Sequence, residues 1–312
     1  MGKWQKIDSS RWPDVGWAEY NFITQQVRLH DVKCFDMYKI DASGQCFTIY
    51  PLKSEDEQCQ KYLVLHKGHG VTVSQTGTTI TLDCDLAAFE QVWVPFFDLP
   101  TDYQNEQNLI LLAAQGQIFT VADQCGGIRI LRQDPWETLL QFMMSSANNI
   151  PRIRQLVKAI ADEYGRYPVE GKSHYYKCLP SWIALQNKGL NAAHLEAGLR
   201  RLGCGYRARY VAELFARFQE PEWEQFINHT GDAEPGQFHK WLTSLNGVGD
   251  KIASCVELYG LHDLQAYPVD TWMEKIHTKY FNGKRPDPPY EGAPMGLIQM
   301  YLYYWERAYA PD

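Results

Sequence analysis

Near residue 131 the apolar residues change their repeat, and that change restricts the chain to two kinds of element in two successive regions. Upstream, CFTIY and KYLVLH are short aromatic and branched runs, and GVTVSQTGTTITLDC alternates apolar with polar residues on either side of Gly77, as a β-hairpin does. Downstream of RQDPWETLL the spacing becomes helical: Ile153, Leu156, Val157, Ile160 and Ala161 fall on one face of RIRQLVKAIADEYG. HLEAGLRRLG, RYVAELFARF, FHKWLTSL, KIASCVELYGL and MGLIQMYLYYWERAYA continue as helices punctuated by glycine. The expected class is therefore α+β, with an N-terminal antiparallel β-sheet domain over residues 1–130 and an all-helical domain over 131–312. No internal repeat, low-complexity tract or long linker interrupts this order.

With 45% hydrophobic and 13% aromatic residues in 312, the chain reads as folded rather than disordered. Its first residues lack the apolar run of a secretory signal, and no stretch reaches the roughly 18 apolar residues of a membrane span, so an intracellular, cytoplasmic location without membrane contact is expected. The eight cysteines are scattered singly with no CxxC pair, which suggests reduced thiols and neither a zinc site nor an iron–sulfur cluster. A formal charge of −7 argues against a nucleic-acid partner when taken alone. From Leu131 to Glu220, however, 13 Lys and Arg face 8 Asp and Glu, so this region fits either a solvated helical surface or a face turned to an anionic polymer.

The stretch LNGVGDKIASCVELYGLHDLQAYPVDTW, Leu245 to Trp272, carries the chemistry. Gly247 and Gly249 predict a tight turn between two helices, either an ordinary connection or, through the backbone N–H groups of Gly247, Val248 and Gly249, a phosphate site. Lys251 falls in the first turn of the second helix, where the dipole disfavours an ammonium. It is either a lysine reaching solvent or an amine nucleophile, which must be desolvated or crowded by positive charge to react at neutral pH. Cys255, four residues on, shares its face. Asp270 follows Pro268 and Val269 and precedes TWMEKIHTKY, where it can cap that helix, face a reacting centre, or do both.

LNGVGDKIASC followed by PVD, with Asp270 nineteen positions after Lys251, resembles the helix-hairpin-helix base-excision DNA glycosylases, and within them the 8-oxoguanine DNA glycosylase branch. QDPWETLLQFMMSSANNIPRI, LPSWIAL, RLGCGYRARYV and SGQCF are similar to that branch in the same order, from about Asp36 to Tyr304. The resemblance implies that Lys251 is the nucleophile and Asp270 the assisting acid in a bifunctional glycosylase and abasic-site lyase. Such an enzyme flips 8-oxoguanine out of duplex DNA, releases it through a lysine Schiff base and nicks the strand. It implies that Gly44, in SGQCF, accepts the lesion's N7 proton on its backbone oxygen, whereas guanine would leave that carbonyl unpaired at a cost of roughly 1–3 kcal/mol. Cys255 and Tyr303 would sandwich the base, and Gln299 would read its Watson–Crick edge. Arg152, Tyr206 and Arg207 would fill the emptied stack and meet the partner base, with Ala147, Asn148 and Asn149 at the same DNA and opposite-base face. A structural cation on the main-chain oxygens of Thr243, Leu245 and Val248 is also implied, with no cofactor for catalysis.

Three positions depart from the eukaryotic pattern and resemble a bacterial-type member. Ala147 replaces an asparagine that contacts the partner cytosine, so selectivity for cytosine opposite the lesion is expected to be relaxed. Trp272 replaces a phosphate-contacting histidine, and Asn246 replaces the hairpin proline. The competing readings are a glycosylase for alkylated bases that uses the aspartate alone, against which Lys251 and Gly44 argue, and a silent DNA-damage binder. One lesion needs one pocket and no coiled-coil stripe is visible, so the enzyme is expected to act as a monomer on double-stranded DNA.

Overall fold

A computed structural model of the chain describes residues 3–169, 175–217 and 236–310. Seven antiparallel strands, β1 (Trp4–Ile7), β2 (Trp17–Asn21), β3 (Gln26–His30), β4 (Ile49–Leu52), β5 (Gln60–His66), β6 (His69–Thr76) and β7 (Thr79–Leu82), form one sheet in the order β1-β2-β3-β7-β6-β5-β4. The hairpin expected around Gly77 is β6–β7, in register from Thr76 opposite Thr79 to Val73 opposite Leu82. Alternation sets its burial: Val71, Val73, Ile80 and Leu82 point inward with Val27 and Leu29 of β3, while Thr72, Ser74, Thr79 and Thr81 between them are partly exposed. Trp12, Phe89, Trp93, Phe96 and Phe97 complete this core.

Four helical segments upstream of residue 131 interrupt the mostly β reading: Met37–Ala42, the run 86–96, Tyr103–Ala113 and Gly116–Gln124. Asp36, Asp85 and Asp102 cap three of them by accepting from the backbone N–H three residues on. Tyr103, Ile110, Ile118, Val121 and Ala122 of the last two belong to the helical core rather than to the sheet's, so the packing divides the chain near residue 100. Downstream, Ile150–Tyr164, Ala192–Arg201, Arg207–Arg217, Gln237–Thr243, Asp250–Cys255, Thr271–Tyr280 and Met295–Ala308 are helices where the sequence suggests them, and Pro135–Met143 and Trp182–Asn187 are two more.

The loop that leads into β4 is fastened to the helical half by side-chain amides. Gln45 donates to Arg129 O (2.8 Å) and accepts from Leu131 N (2.8 Å), Gln133 donates to Gln45 O (2.6 Å), and Gln141 accepts from Phe47 N (2.7 Å), all of them buried. Glu137 adds a second clasp by accepting from Lys67 N and pairing with His66. All eight cysteines are free thiols, and no described helix is long and apolar enough to cross a membrane.

Candidate active site

A cleft of about 640 Å³ opens between the loop carrying Gly44 and the helical half, and Lys251, Asp270, Gly44, Cys255, Gln299 and Tyr303 all line it. These six residues span 259 positions of sequence, from 44 to 303, and only the folded chain brings them together.

The hairpin is built as the glycines require. Gly247 has φ +83°, and a Cβ there would stand 2.5 Å from the ring of Tyr210, so both conformation and space exclude a side chain. Val248 N–H closes the turn on Leu245 O (3.1 Å), and Asn246 donates to Glu213 of helix Arg207–Arg217 (3.0 Å), a tie that a proline could not make. Gly247 and Gly249 face the cleft, while Val248 is buried beneath the turn. Among the described residues no cluster of three or more His, Cys, Asp or Glu could hold a metal ion.

Lys251 projects into the cleft from the first turn of helix Asp250–Cys255. Its Nζ donates to Ser145 Oγ at 2.8 Å and lies 4.9 Å from the centroid of the Phe142 ring. Asp270 is the N-cap of helix Thr271–Tyr280, and its Oδ1 accepts from Trp272 N and Met273 N at 3.0 Å each. Capping does not take the residue out of the cleft, since one oxygen fixes the carboxylate and Asp270 still lines the cavity. Cys255 is buried, and burial pushes its thiol up to about 11 against the pull of the Lys251 charge, with Asp270 adding to the rise. It is a neutral, polarisable wall, not a competing thiolate.

Gly44 adopts φ +77°, and a Cβ there would meet Ile150 Cδ1 at 2.9 Å. Gln299 is 4% exposed, and its Oε1 has no hydrogen-bond partner among the described residues. A buried amide oxygen left unpaired at a cleft wall is costly unless a ligand supplies the donor. Burial also raises the Tyr303 hydroxyl above its ordinary value against the pull of Arg307, whose guanidinium lies 5.2 Å from the centroid of the Tyr303 ring.

The loop after helix Pro135–Met143 forms the opposite wall, with Ala147, Asn148 and Asn149 on the cleft. Asn149 caps helix Ile150–Tyr164 through Arg152 N (2.9 Å), and Asn148 donates to Met144 O (3.1 Å). Arg207 donates to Ser146 O and to Ala147 O (3.3 Å), stacked against Tyr206, whose own hydroxyl reaches Ser146 O. Arg152 donates to Gly203 O (3.3 Å) and Gln155. Tyr206 and Arg207 thus hold the loop, Arg152 holds Gly203, and none of the three lines the cleft itself.

The net charge of −7 proves a poor guide to this face. Three helix N-termini, capped at Asn149, Gly249 and Asp270, open on the cleft beside Lys251 and Arg307, a local field suited to an anionic backbone. Ser145, Phe142, Ile150 and Arg307 also line the site and were not singled out from the sequence. The serine pair of MMSSANN carries no local sign that one hydroxyl meets a lysine 106 positions away.

Residues 28–139 match the family model described as the 8-oxoguanine DNA glycosylase N-terminal domain. The chain is 36% identical over 158 residues to the N-glycosylase/DNA lyase of Saccharomyces cerevisiae, a match covering 48% of this chain and 41% of the yeast protein, so the chain spans about two fifths of that relative. Its fold is similar to that of MBOgg1 in complex with a low-affinity DNA ligand, with TM-score 0.79, 25% identity and 98% of both chains covered. It is likewise similar to the Clostridium acetobutylicum 8-oxoguanine glycosylase/lyase in complex with double-stranded DNA containing cytosine opposite 8-oxoG. There the TM-score is 0.79 and the identity 27%, with 94% of this chain and 98% of that one covered.

Proposed function

We propose that the chain is a member of the 8-oxoguanine DNA glycosylase family of the helix-hairpin-helix superfamily, to whose N-terminal domain model and solved structures it is similar, and that it excises 8-oxoguanine from duplex DNA and then nicks the strand at the abasic site. One observation carries the reading: an amine, a capping carboxylate and an unpaired buried amide oxygen share one cleft of about 640 Å³, a volume suited to a single extruded nucleobase.

The chemistry follows from these groups. Lys251 Nζ attacks the anomeric carbon of the flipped nucleotide as the bond to the base breaks, and the departing base takes up a proton. Asp270, held through Oδ1, presents its other oxygen to the positive charge that develops on the sugar. Opening of the sugar ring gives the imine. The imine acidifies the neighbouring C2′ proton, whose loss expels the 3′ phosphate and breaks the strand. Gln299 Oε1 accepts from the base edge, Cys255 and Tyr303 bracket its faces, and Gly44 O accepts the N7 proton that distinguishes the lesion from guanine.

Alanine at 147 has no side-chain hydrogen bond to offer an opposing cytosine, so discrimination among opposing bases rests on Arg152 and Arg207, once released from the loop carbonyls they now hold. The main-chain oxygens of Thr243, Leu245 and Val248 form a neutral donor set that suits a weakly held cation stiffening the turn, with Leu245 O using its second lone pair beside Val248 N. The steps above use only the chain's own side-chain and main-chain groups. In this role the protein works as a monomer on the DNA of the nucleoid, in keeping with the intracellular, cytoplasmic location expected from sequence.

The test separates base release from nicking on a duplex with one 8-oxoguanine opposite cytosine, with and without hot alkali. Strand breaks in both samples, absent from undamaged duplex, are expected. Breaks only after alkali would point to the aspartate-only alternative, and tight binding without any release would identify a silent binder.

A further inference from the structure

We infer that Ser145 is a positioning residue for the reacting amine, holding Lys251 Nζ by one N–H while leaving the nitrogen lone pair free to attack. The inference rests on the glycosylase reading and extends it to a residue to which the resemblance assigns no role. Ser145 follows the end of helix Pro135–Met143, where its own N–H (2.9 Å) and its Oγ–H (2.6 Å) both donate to Phe142 O. The hydroxyl proton is therefore committed, and the oxygen can only accept. It does so from Lys251 Nζ at 2.8 Å.

The direction of this bond matters chemically. A hydroxyl that donated to the amine would occupy the lone pair needed for attack on the sugar, whereas one that accepts orients the amine without using it. The Phe142 ring, 4.9 Å from Nζ, supplies a second electron-rich surface for another N–H. A neutral amine has two N–H groups and one lone pair, so with one proton on Ser145 and the other over the ring, the lone pair is what remains for the cleft. Phe142 is itself fixed, 5.6 Å from Phe47 and 5.4 Å from Tyr259 between ring centroids. Through Phe47 the packing runs back to the loop that carries Gly44, so the same support sets both the amine and the lesion-reading carbonyl.

The test compares Ser145→Ala, Ser145→Cys and Ser145→Thr in the full chain. It measures single-turnover base release and borohydride trapping at saturating enzyme on the 8-oxoguanine duplex, together with the duplex Kd and the Tm. Loss of an oriented hydrogen bond to the amine should slow the saturating rate about 10- to 100-fold in the Ala variant, with Kd and Tm unchanged. The Cys variant, a weak acceptor of similar volume, should be comparably slow, and the Thr variant, which keeps the oxygen on Cβ, should recover most of the rate. Wild-type rates in the Ala or Cys variant would overturn the inference, as would equal losses in Ala and Thr or a loss explained by weaker DNA binding. If the wild-type protein itself formed no adduct, the glycosylase reading would fall first, a result distinct from any difference among the variants.

Discussion

At Gly44 two independent constraints act on one position, the left-handed φ of +77° and the Ile150 methyl 2.9 Å from where a Cβ would stand. Gly44→Ala is expected to cost about 1–2 kcal/mol in stability and, more tellingly, to lose lesion release while keeping duplex binding, because the backbone whose carbonyl is proposed to read the lesion must shift. Comparing its single-turnover rate with its Kd decides the matter; an Ala variant that releases 8-oxoguanine at the wild-type rate would remove this carbonyl from recognition. Ala147 is a second residue in the left-handed region, at φ +47°, a conformation asparagine adopts more readily than alanine. Ala147→Asn should therefore leave the Tm unchanged or raise it, and should sharpen discrimination for cytosine when release is compared across the four opposing bases. Equal or greater selectivity in the wild type would contradict the account of relaxed pairing.

At the scale of elements the two hairpin glycines differ although the sequence presents them as a matched pair. Gly247 is at positive φ against the Tyr210 ring, whereas Gly249 is extended, and among the described residues nothing lies within 4 Å of an added Cβ. Gly247→Ala should lower stability by about 1–3 kcal/mol through this crowding, and Gly249→Ala by visibly less, as two melting curves would show. That turn, the β6–β7 hairpin and the helix of Ile153 to Ala161 were legible because each is set by local spacing and by residues that tolerate one geometry. The helices Tyr103–Ala113 and Gly116–Gln124 were not, since YQNEQNLILLA and GQIFTVADQ are short and their buried side chains meet partners in helix Met295–Ala308 and beyond, far away in sequence. The Asp102 cap was the available sign. Likewise Lys251 and Asp270 could be found from a motif, while the contact of Ser145 with Lys251 and the hold of Arg207 on Ser146 depend on packing between distant elements that no local pattern records.

At the scale of the whole molecule the site depends on the sheet and helical halves staying in register, and a buried polar network spans them. Arg129 pairs with Asp14 (3.1 Å) and donates to the carbonyls of Asp98 and Thr101, while the Asp98 carboxylate accepts from Tyr103 (2.9 Å) and pairs with His262 (3.1 Å), which follows the helix bearing Lys251. Burial alone would raise the Asp98 carboxyl, but the hydrogen bond and charge of His262, with help from Thr101 and Tyr103, leave it below its ordinary value. A folded-state pKa held below 3.8 means that this carboxylate stabilises the fold at neutral pH and that its contribution is lost as pH falls from about 4 through the folded value. Asp98→Asn should therefore lower stability at pH 7 by on the order of 3 kcal/mol and show a smaller further drop below pH 4 than the wild type does, readable as Tm against pH. The central claim, that Lys251 forms an imine with the sugar of a damaged nucleotide, is tested most directly by borohydride trapping on a duplex holding one 8-oxoguanine opposite cytosine, beside an undamaged duplex. A covalent adduct that requires the lesion and disappears in Lys251→Gln is expected; no adduct from a folded, DNA-bound protein, or an adduct that survives in Lys251→Gln, would contradict it.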